Sequence, residues 1–247
     1  MRRPHVVVLA ASLVLLSQPA AADGNVRVRP LDAESPLGDE RLSDERELTR
    51  WAYPAAARWI YRSPSPSSDR VRRLRLLTED GYPEVYVALR ARRVDGGVWI
   101  QVRIPARPNG QTGWVRQSAL GPLHAVTTAL TIDRRSSRAT LRRAGRPVWR
   151  SPIGHGAPGT PTPSGRFYIR ERIRNLGGDP LYGPWAFGTS AYSALSDWPG
   201  GGVVGIHGTN EPWLIPGRPS HGCVRVPNPA ITRLAQLMPI GTPVRIH

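Results

Sequence analysis

The chain has 247 residues, with 34 Lys+Arg against 18 Asp+Glu, a formal net charge of +16 and a single cysteine; every one of its basic residues is arginine. A composition of 40% hydrophobic and 21% charged residues suits a folded chain and excludes a polyampholytic disordered one. One cysteine excludes an intramolecular disulfide framework and any multi-cysteine zinc site, while the charge favours polyanionic surroundings: nucleic acid, an anionic membrane surface or a phosphate-rich wall. In chain order, Arg2 and Arg3 precede an apolar run from Val6 to Leu16 and then Pro19-Ala20-Ala21-Ala22. This charged, apolar and small-residue order predicts a signal peptide over 1–22, and the run is too short for the ~20 residues of a membrane span. The expected mature protein is exported to the periplasm or cell wall and keeps no integral membrane segment. Export argues against nucleic acid as the partner, since no nucleic-acid-binding signature accompanies the charge.

Residues 23–45 are polar, with Pro30, Pro36 and Gly38, and read as a linker or loosely attached arm. Short apolar stretches follow over Val71–Leu77, Val85–Leu89, Val98–Ile104 and Gly113–Val115, as in a small β barrel or sandwich spanning 46–121. Asn109-Gly110 between the last two predicts a tight type I′ hairpin. Leu48–Tyr61 fits a short helix or a first strand pair, and Pro54 argues against a long helix. Val98-Trp99-Ile100-Gln101-Val102 followed by Gly113-Trp114-Val115 resembles the bacterial SH3-like modules of secreted wall enzymes.

A second domain is expected over 122–247. Thr127–Asp133, Ala139–Arg142 and Arg146–Pro152 alternate apolar and polar residues as half-buried strands do, with Ala144-Gly145 at a turn. Gly159-Thr160-Pro161-Thr162-Pro163-Ser164-Gly165 admits neither helix nor central strand. Phe167–Ile169 resumes the strand pattern. Asn228-Pro229 opens a helix as N-cap and first residue, with Ile231, Leu234, Leu237 and Met238 on one face, Pro239 stopping it, and Val244–Ile246 as a last strand.

Chemistry concentrates at Gly205-Ile206-His207-Gly208-Thr209-Asn210 and Ser220-His221-Gly222-Cys223-Val224-Arg225. A lone Cys suits a small buried hydrophobe. It also suits a nucleophile, because a nearby histidine can take the thiol proton or hold the thiolate, and glycines allow backbone N–H groups to converge on an oxyanion. The sole carboxylate between His207 and Cys223 is Glu211, so a backbone carbonyl such as that of Gly208 is the expected orienting partner of His207. Thr209–Pro219 is expected to form a stiff flap, with Trp213 either a substrate wall or flap core. His155 reads as an exposed loop residue, His124 and His247 as boundary and terminal residues. No metal site is expected from ligand spacing.

Ile206-His207-Gly208, the sixteen-residue step to Cys223, and Ser220-His221-Gly222-Cys223-Val224-Arg225 resemble the signature of the L,D-transpeptidase (YkuD-type) family. Pro158 to Phe167 and Gly241-Thr242-Pro243-Val244 extend the resemblance. It implies a mainly β protein, an SH3-like β barrel followed by a transpeptidase-type β-sandwich with one short helix. It further implies a cofactor-free cysteine acyltransferase that cross-links peptidoglycan stem peptides. In it Cys223 is the nucleophile, His207 the proton carrier and His221 a shaping residue. Gly222, Cys223 and Gly208 would be backbone contributors to the oxyanion site, Ser220 and Arg225 would brace the loop or meet a substrate carboxylate, and Trp213 would lie toward substrate. For Arg225 a structural ion pair is an equal reading. An L,D-carboxypeptidase using water as acceptor, and a noncatalytic peptidoglycan-binding protein, are the alternatives; anionic wall polymers are a further possible partner.

Overall fold

The computed structural model describes residues 26–27, 38–176, 178–195 and 199–247. The segment 1–22, expected to be a signal peptide, and most of the expected arm lie outside the described residues. The first part of the chain forms strands β1 (Val26–Arg27), β2 (Asp39–Arg41), β3 (Thr49–Ala52), β4 (Trp59–Tyr61), β5 (Arg70–Arg73), β6 (Tyr86–Val94), β7 (Gly97–Arg103), β8 (Thr112–Arg116) and β9 (His124–Val126). They make one sheet in the order β1-β9-β3-β6-β7-β8-β4-β5, with β2 also on β6. Leu48–Tyr61 is therefore two strands, which do not pair with each other.

The tight hairpin of this sheet lies at Asp95-Gly96, where both residues have positive φ (48° and 70°), the condition for a type I′ turn. Asn109-Gly110 does not form one. Gly110 alone has positive φ (89°). The Asn109 side chain is instead spent on the second half of the molecule, donating to Tyr192 O (2.7 Å) and accepting from Tyr192 N (3.0 Å). Two sheet boundaries also differ from expectation. β9 pairs with β3, so the first sheet ends at Val126 and not before 122, and β2 brings residues 39–41 of the expected arm into that sheet.

From Thr128 onward come β10 (Thr128–Asp133), β11 (Arg138–Arg143), β12 (Arg146–Pro152), β13 (Gly154–Gly156), β14 (Gly165–Tyr168), β15 (Ile173–Arg174), β16 (Trp185–Tyr192), β17 (Val203–His207), β18 (Gly217–Ser220), β19 (Val224–Arg225), helix α1 (Asn228–Leu237) and β20 (Pro243–Ile246). Two sheets result, β12-β11-β10-β20-β14 and β15-β16-β17-β19-β13-β18. Ala144-Gly145 turns β11 into β12 with positive φ at both residues, as expected. The apolar faces meet in a core holding Leu130, Leu141, Phe167, Phe187, Ile206 and Val224, closed on one side by Ile231, Leu234 and Ala235 of α1. Burial of these side chains is the main drive for the sandwich, at about 1.5–3 kcal/mol each. α1 starts at Asn228 with Pro227 as the capping residue, and the Asn228 side chain accepts from Thr209 N (2.8 Å) instead of capping its own helix.

The halves are joined by a third apolar cluster, in which Trp51, Val85, Val87 and Val126 of the first half pack with Tyr168. Tyr168 also donates to Val85 O (2.7 Å). Beside it Arg170, 1% exposed, forms ion pairs with Glu84 (2.6 Å) and Glu79 (2.8 Å), and Arg75 pairs with the same two carboxylates. The mainly β class with a single α-helix among the described residues is the expected one; His155, expected in an exposed loop, is 3% exposed on β13.

Candidate active site

β17 and β19 run parallel, with Ile206 opposite Val224 and His207 opposite Arg225. That register sets Cys223 beside Gly205, whose N–H donates to the sulfur at 3.4 Å. A Cβ placed on Gly205 would lie 3.7 Å from both Cys223 Sγ and His207 Cδ2, so thiol and imidazole converge over this one glycine. His207 is 4% exposed, and its Nδ1 lies 2.6 Å from Gly208 O. A carbonyl only accepts, so Nδ1 carries the proton and Nε2 is the nitrogen able to take one.

Burial lowers the His207 pKa to about 4, with the Gly208 hydrogen bond opposing and Arg225 adding to the fall. Burial raises the Cys223 thiol, with Gly205 N–H and Arg225 opposing. Both shifts favour uncharged forms, so the resting pair is a neutral thiol beside a neutral imidazole.

The turn before Cys223 is built from behind. Gly222 has φ +127°, and a Cβ there would press on Ser193 at 3.2 Å, which accounts for glycine at that position. Thr162 of the Pro-rich loop, fully buried, donates to Gly222 O (2.8 Å) and accepts from Gly156 N (2.9 Å); Ala157 N donates to Ser220 O (2.8 Å). Ser220 Oγ donates to Cys223 O (2.5 Å) and accepts from Gly222 N (3.2 Å).

These bonds choose between the expected roles of Ser220 and Arg225 and revise those of Gly222 and Gly208. The Ser220 hydroxyl is spent inside the loop as a brace and is not presented to substrate. The Gly222 N–H is spent on Ser220, and the Gly208 N–H on Trp185 O (3.1 Å), so neither faces an oxyanion; Gly208 serves through its carbonyl. Gly208 is also a close-approach residue, since a Cβ would fall 2.4 Å from Asn228 Oδ1. Arg225 makes an ion pair with Glu211 of the flap (2.5 Å), which ties the flap to β19 and takes Arg225 away from substrate. Trp213 is 73% exposed, on a 3-10 turn over Pro212–Leu214, and is neither flap core nor part of the cleft lining. His221 is exposed next to the turn.

In front of the pair lies a cavity of about 340 Å³. Besides Cys223, His207 and Gly205 it is lined by Tyr182, Glu171 and Asp80. The Tyr182 ring meets the His207 ring edge-on at 5.0 Å. None of these three lining residues stands out in the sequence: Tyr182 sits in a Gly/Pro-rich loop, and Asp80 belongs to the other half of the chain. The Gly205 contribution is a backbone N–H, which no side-chain pattern reports. Among the described residues no group of three or more His, Cys, Asp and Glu is placed to hold a metal ion, and no helix is long and apolar enough to cross a membrane.

A histidine at the end of β17 and a cysteine in the turn leading into its parallel neighbour β19, with that turn braced by a Pro-rich loop, make a candidate cysteine site on a two-sheet scaffold. Residues 127–246 match the family of the L,D-transpeptidase catalytic domain, YkuD. Two relatives, each named "Putative L,D-transpeptidase YkuD", come from Bacillus subtilis and Bacillus licheniformis. The first is 38% identical over 96 residues, 39% of this chain and 51% of the relative; the second is 35% identical over 118 residues, 48% and 63%. The chain thus spans between half and two thirds of these relatives. Solved L,D-transpeptidases similar to it include one from Xylanimonas cellulosilytica (27% identity, 49% of this chain and 60% of that one, TM-score 0.36). Another is from Mycobacterium tuberculosis (15%, 61% and 90%, TM-score 0.41).

Proposed function

We propose that the protein is an exported cysteine L,D-transpeptidase that cross-links peptidoglycan stem peptides. The observation that carries this reading is the convergence of Cys223 Sγ and the His207 ring over Gly205 at the floor of an open cleft, inside a stretch that matches that family. Cys223 Sγ attacks the carbonyl carbon of the third, diamino-acid residue of a tetrapeptide, and its proton passes to His207 Nε2. The C–N bond to the terminal D-alanine breaks, and the departing amine takes the proton back from His207. The side-chain amine of a second stem then attacks the thioester, giving its proton to His207 as the C–S bond breaks and the thiol is restored. With the Gly222 and Gly208 N–H groups engaged elsewhere, the Cys223 N–H is the donor assigned to the developing oxyanion.

Three features support this reading. The neutral resting pair fits general-base activation at the moment of attack, and the buried Gly208 contact fixes the required tautomer without a carboxylate. The net charge of +10 over residues 123–247 suits a wall rich in carboxylates and phosphates. The test is product analysis with a purified stem tetrapeptide, with and without an amine acceptor. Cross-linked dimer plus free D-alanine is expected, and Cys223→Ala abolishes both. Tripeptide alone in the presence of acceptor would instead make it a carboxypeptidase, and sacculus binding without any product a wall-binding protein.

A further inference from the structure

The outer face of the first sheet carries arginine and tryptophan in alternation. Ile60, Ile100 and Val115 turn into the core, so their strand neighbours Trp59, Tyr61, Trp99, Trp114 and Arg116 turn outward. Register sets Arg92 opposite Trp99, Trp99 opposite Arg116 and Trp59 opposite Arg73. Tyr61 is opposite Trp114, and the same antiparallel ladder carried on by two residues brings Trp59 into line with Arg116. Arginine thus stands on β6, β8 and β5, with a tryptophan on β7 and on β4 between them. At about 4.8 Å per strand, the cations recur every ~10 Å across the sheet.

Each indole is roofed by a guanidinium. Arg116 lies over Trp99 at 4.3 Å, Arg92 over Trp114 at 5.5 Å, and Arg73 and Arg70 over Trp59 at 4.9 and 5.1 Å. Trp99 and Trp114 are 1% and 8% exposed, yet neither belongs to an apolar core cluster; the arginines help to cover them. Gly97 leaves the room for Arg116, since a Cβ there would run into its Nη1. Under that guanidinium the Trp99 indole N–H is buried and has no acceptor among the described residues. Stacking occupies the face of a guanidinium and leaves its in-plane N–H donors open, which is the arrangement that takes a phosphate in bidentate fashion. Among the described residues Arg116, Arg70 and Arg73 make no ion pair: Asp69 turns to Arg62, and Asp39 on β2 is shared by Arg90 and Arg92.

We propose that this face binds an extended phosphodiester polymer, which lies across the strands with its backbone phosphates on the stacked arginines. A strip of fixed, evenly spaced cations suits charges fixed in a polymer main chain better than carboxylates borne on flexible branches. The roofed indoles offer no open ring for a base to stack on, which argues against single-stranded nucleic acid. A bilayer draws aromatic rings into its interface, and here Trp99 and Trp114 are covered. The inference stands on this face alone and holds whether or not Cys223 transfers acyl groups.

A synthetic glycerol-phosphate oligomer long enough to cross the strands from β6 to β5 is titrated into the full chain by calorimetry at several salt concentrations. With three unpaired arginines engaged, log K is expected to fall against log salt with a slope of about −2, at roughly 0.7 per neutralised phosphate. Arg116→Gln/Arg73→Gln should lower the affinity by about tenfold or more, the size of one charge-assisted contact, and flatten the slope to about −0.7. Arg135→Gln/Arg218→Gln removes the same charge from exposed positions of the second half and should keep the wild-type affinity. Arg73→Gln alone, on the exposed edge strand β5, serves the same measurement should the double variant lose its fold. Absence of binding, or an equal loss in the two double variants, overturns the proposal. So does binding as tight or tighter to poly-glutamate, to oligo-thymidylate or to phosphatidylglycerol vesicles.

Discussion

His207 and Cys223 are both held uncharged by burial, so in the proposed reaction the thiolate would form late, at the moment of attack, and not as a standing ion pair. The rate of Cys223 alkylation by iodoacetamide is expected to climb through and beyond the ordinary thiol pKa of about 8.5 with no plateau between pH 5 and 7; an acid plateau would show a preformed thiolate. The same burial has a stability consequence. His207 titrates near 6.5 when unfolded and at about 4 when folded, so below pH 6.5 the unfolded chain binds the proton first and stability falls until about pH 4. The loss is about 3 kcal/mol for the full shift, and urea midpoints measured from pH 7 to 4 should fall less in His207→Gln. The proximity of Cys223 and His207 was legible in the sequence because glycine-flanked His and Cys are few and side-chain chemistry singles them out. For Ser220 and Arg225 two roles stayed open in the sequence, bracing the loop or meeting substrate, since whether a hydroxyl or guanidinium faces a ligand or its own loop depends on tertiary neighbours such as Glu211, which is fourteen residues away from Arg225.

At the scale of elements, the Pro-rich loop and the cysteine turn form one unit, because the Thr162 hydroxyl is the shared partner of Gly156 N and Gly222 O. Thr162→Val keeps the shape and leaves both groups unsatisfied in a buried place, at about 1–3 kcal/mol each. A fall in unfolding free energy together with slower Cys223 alkylation is the expected result; a change in neither would separate the loop from the site. The strands of the second half were readable where one face is buried, as in β10 and β11, whose burial alternates. β16 and β17 were not read: β16 is buried along most of its length and rich in small residues, so alternation is lost. Asn109-Gly110 misled for a different reason. Its side chain binds Tyr192 across the domain boundary, and a long-range contact overrode a local turn preference.

Across the whole molecule, the two halves behave as one body with one cleft. Arg170 and Glu84 are both essentially buried at the junction, and removing only one partner strands the other. Arg170→Met should cost about 3–5 kcal/mol, while a double variant that also removes the Glu84 charge should recover much of it; a thermodynamic cycle from denaturant unfolding measures the coupling. Glu79, against a burial effect that would raise it, is held at about 2 by Arg170, Tyr192 and Arg75. Its contribution is present above pH 4.5 and is lost as pH falls toward 2, adding a second acid-labile step below that of His207. The mainly β character of both halves was visible from periodicity and turn residues. Their fusion was not, because the groups that join them, Glu79, Glu84, Arg170 and Tyr192, are scattered across more than a hundred residues. The central claim is tested most directly by intact mass after brief incubation with a defined stem tetrapeptide. The account predicts an adduct equal to the tetrapeptide minus D-alanine, located on Cys223 and absent from Cys223→Ala; an unmodified Cys223 with D-alanine released, under conditions that trap thioesters, would contradict it.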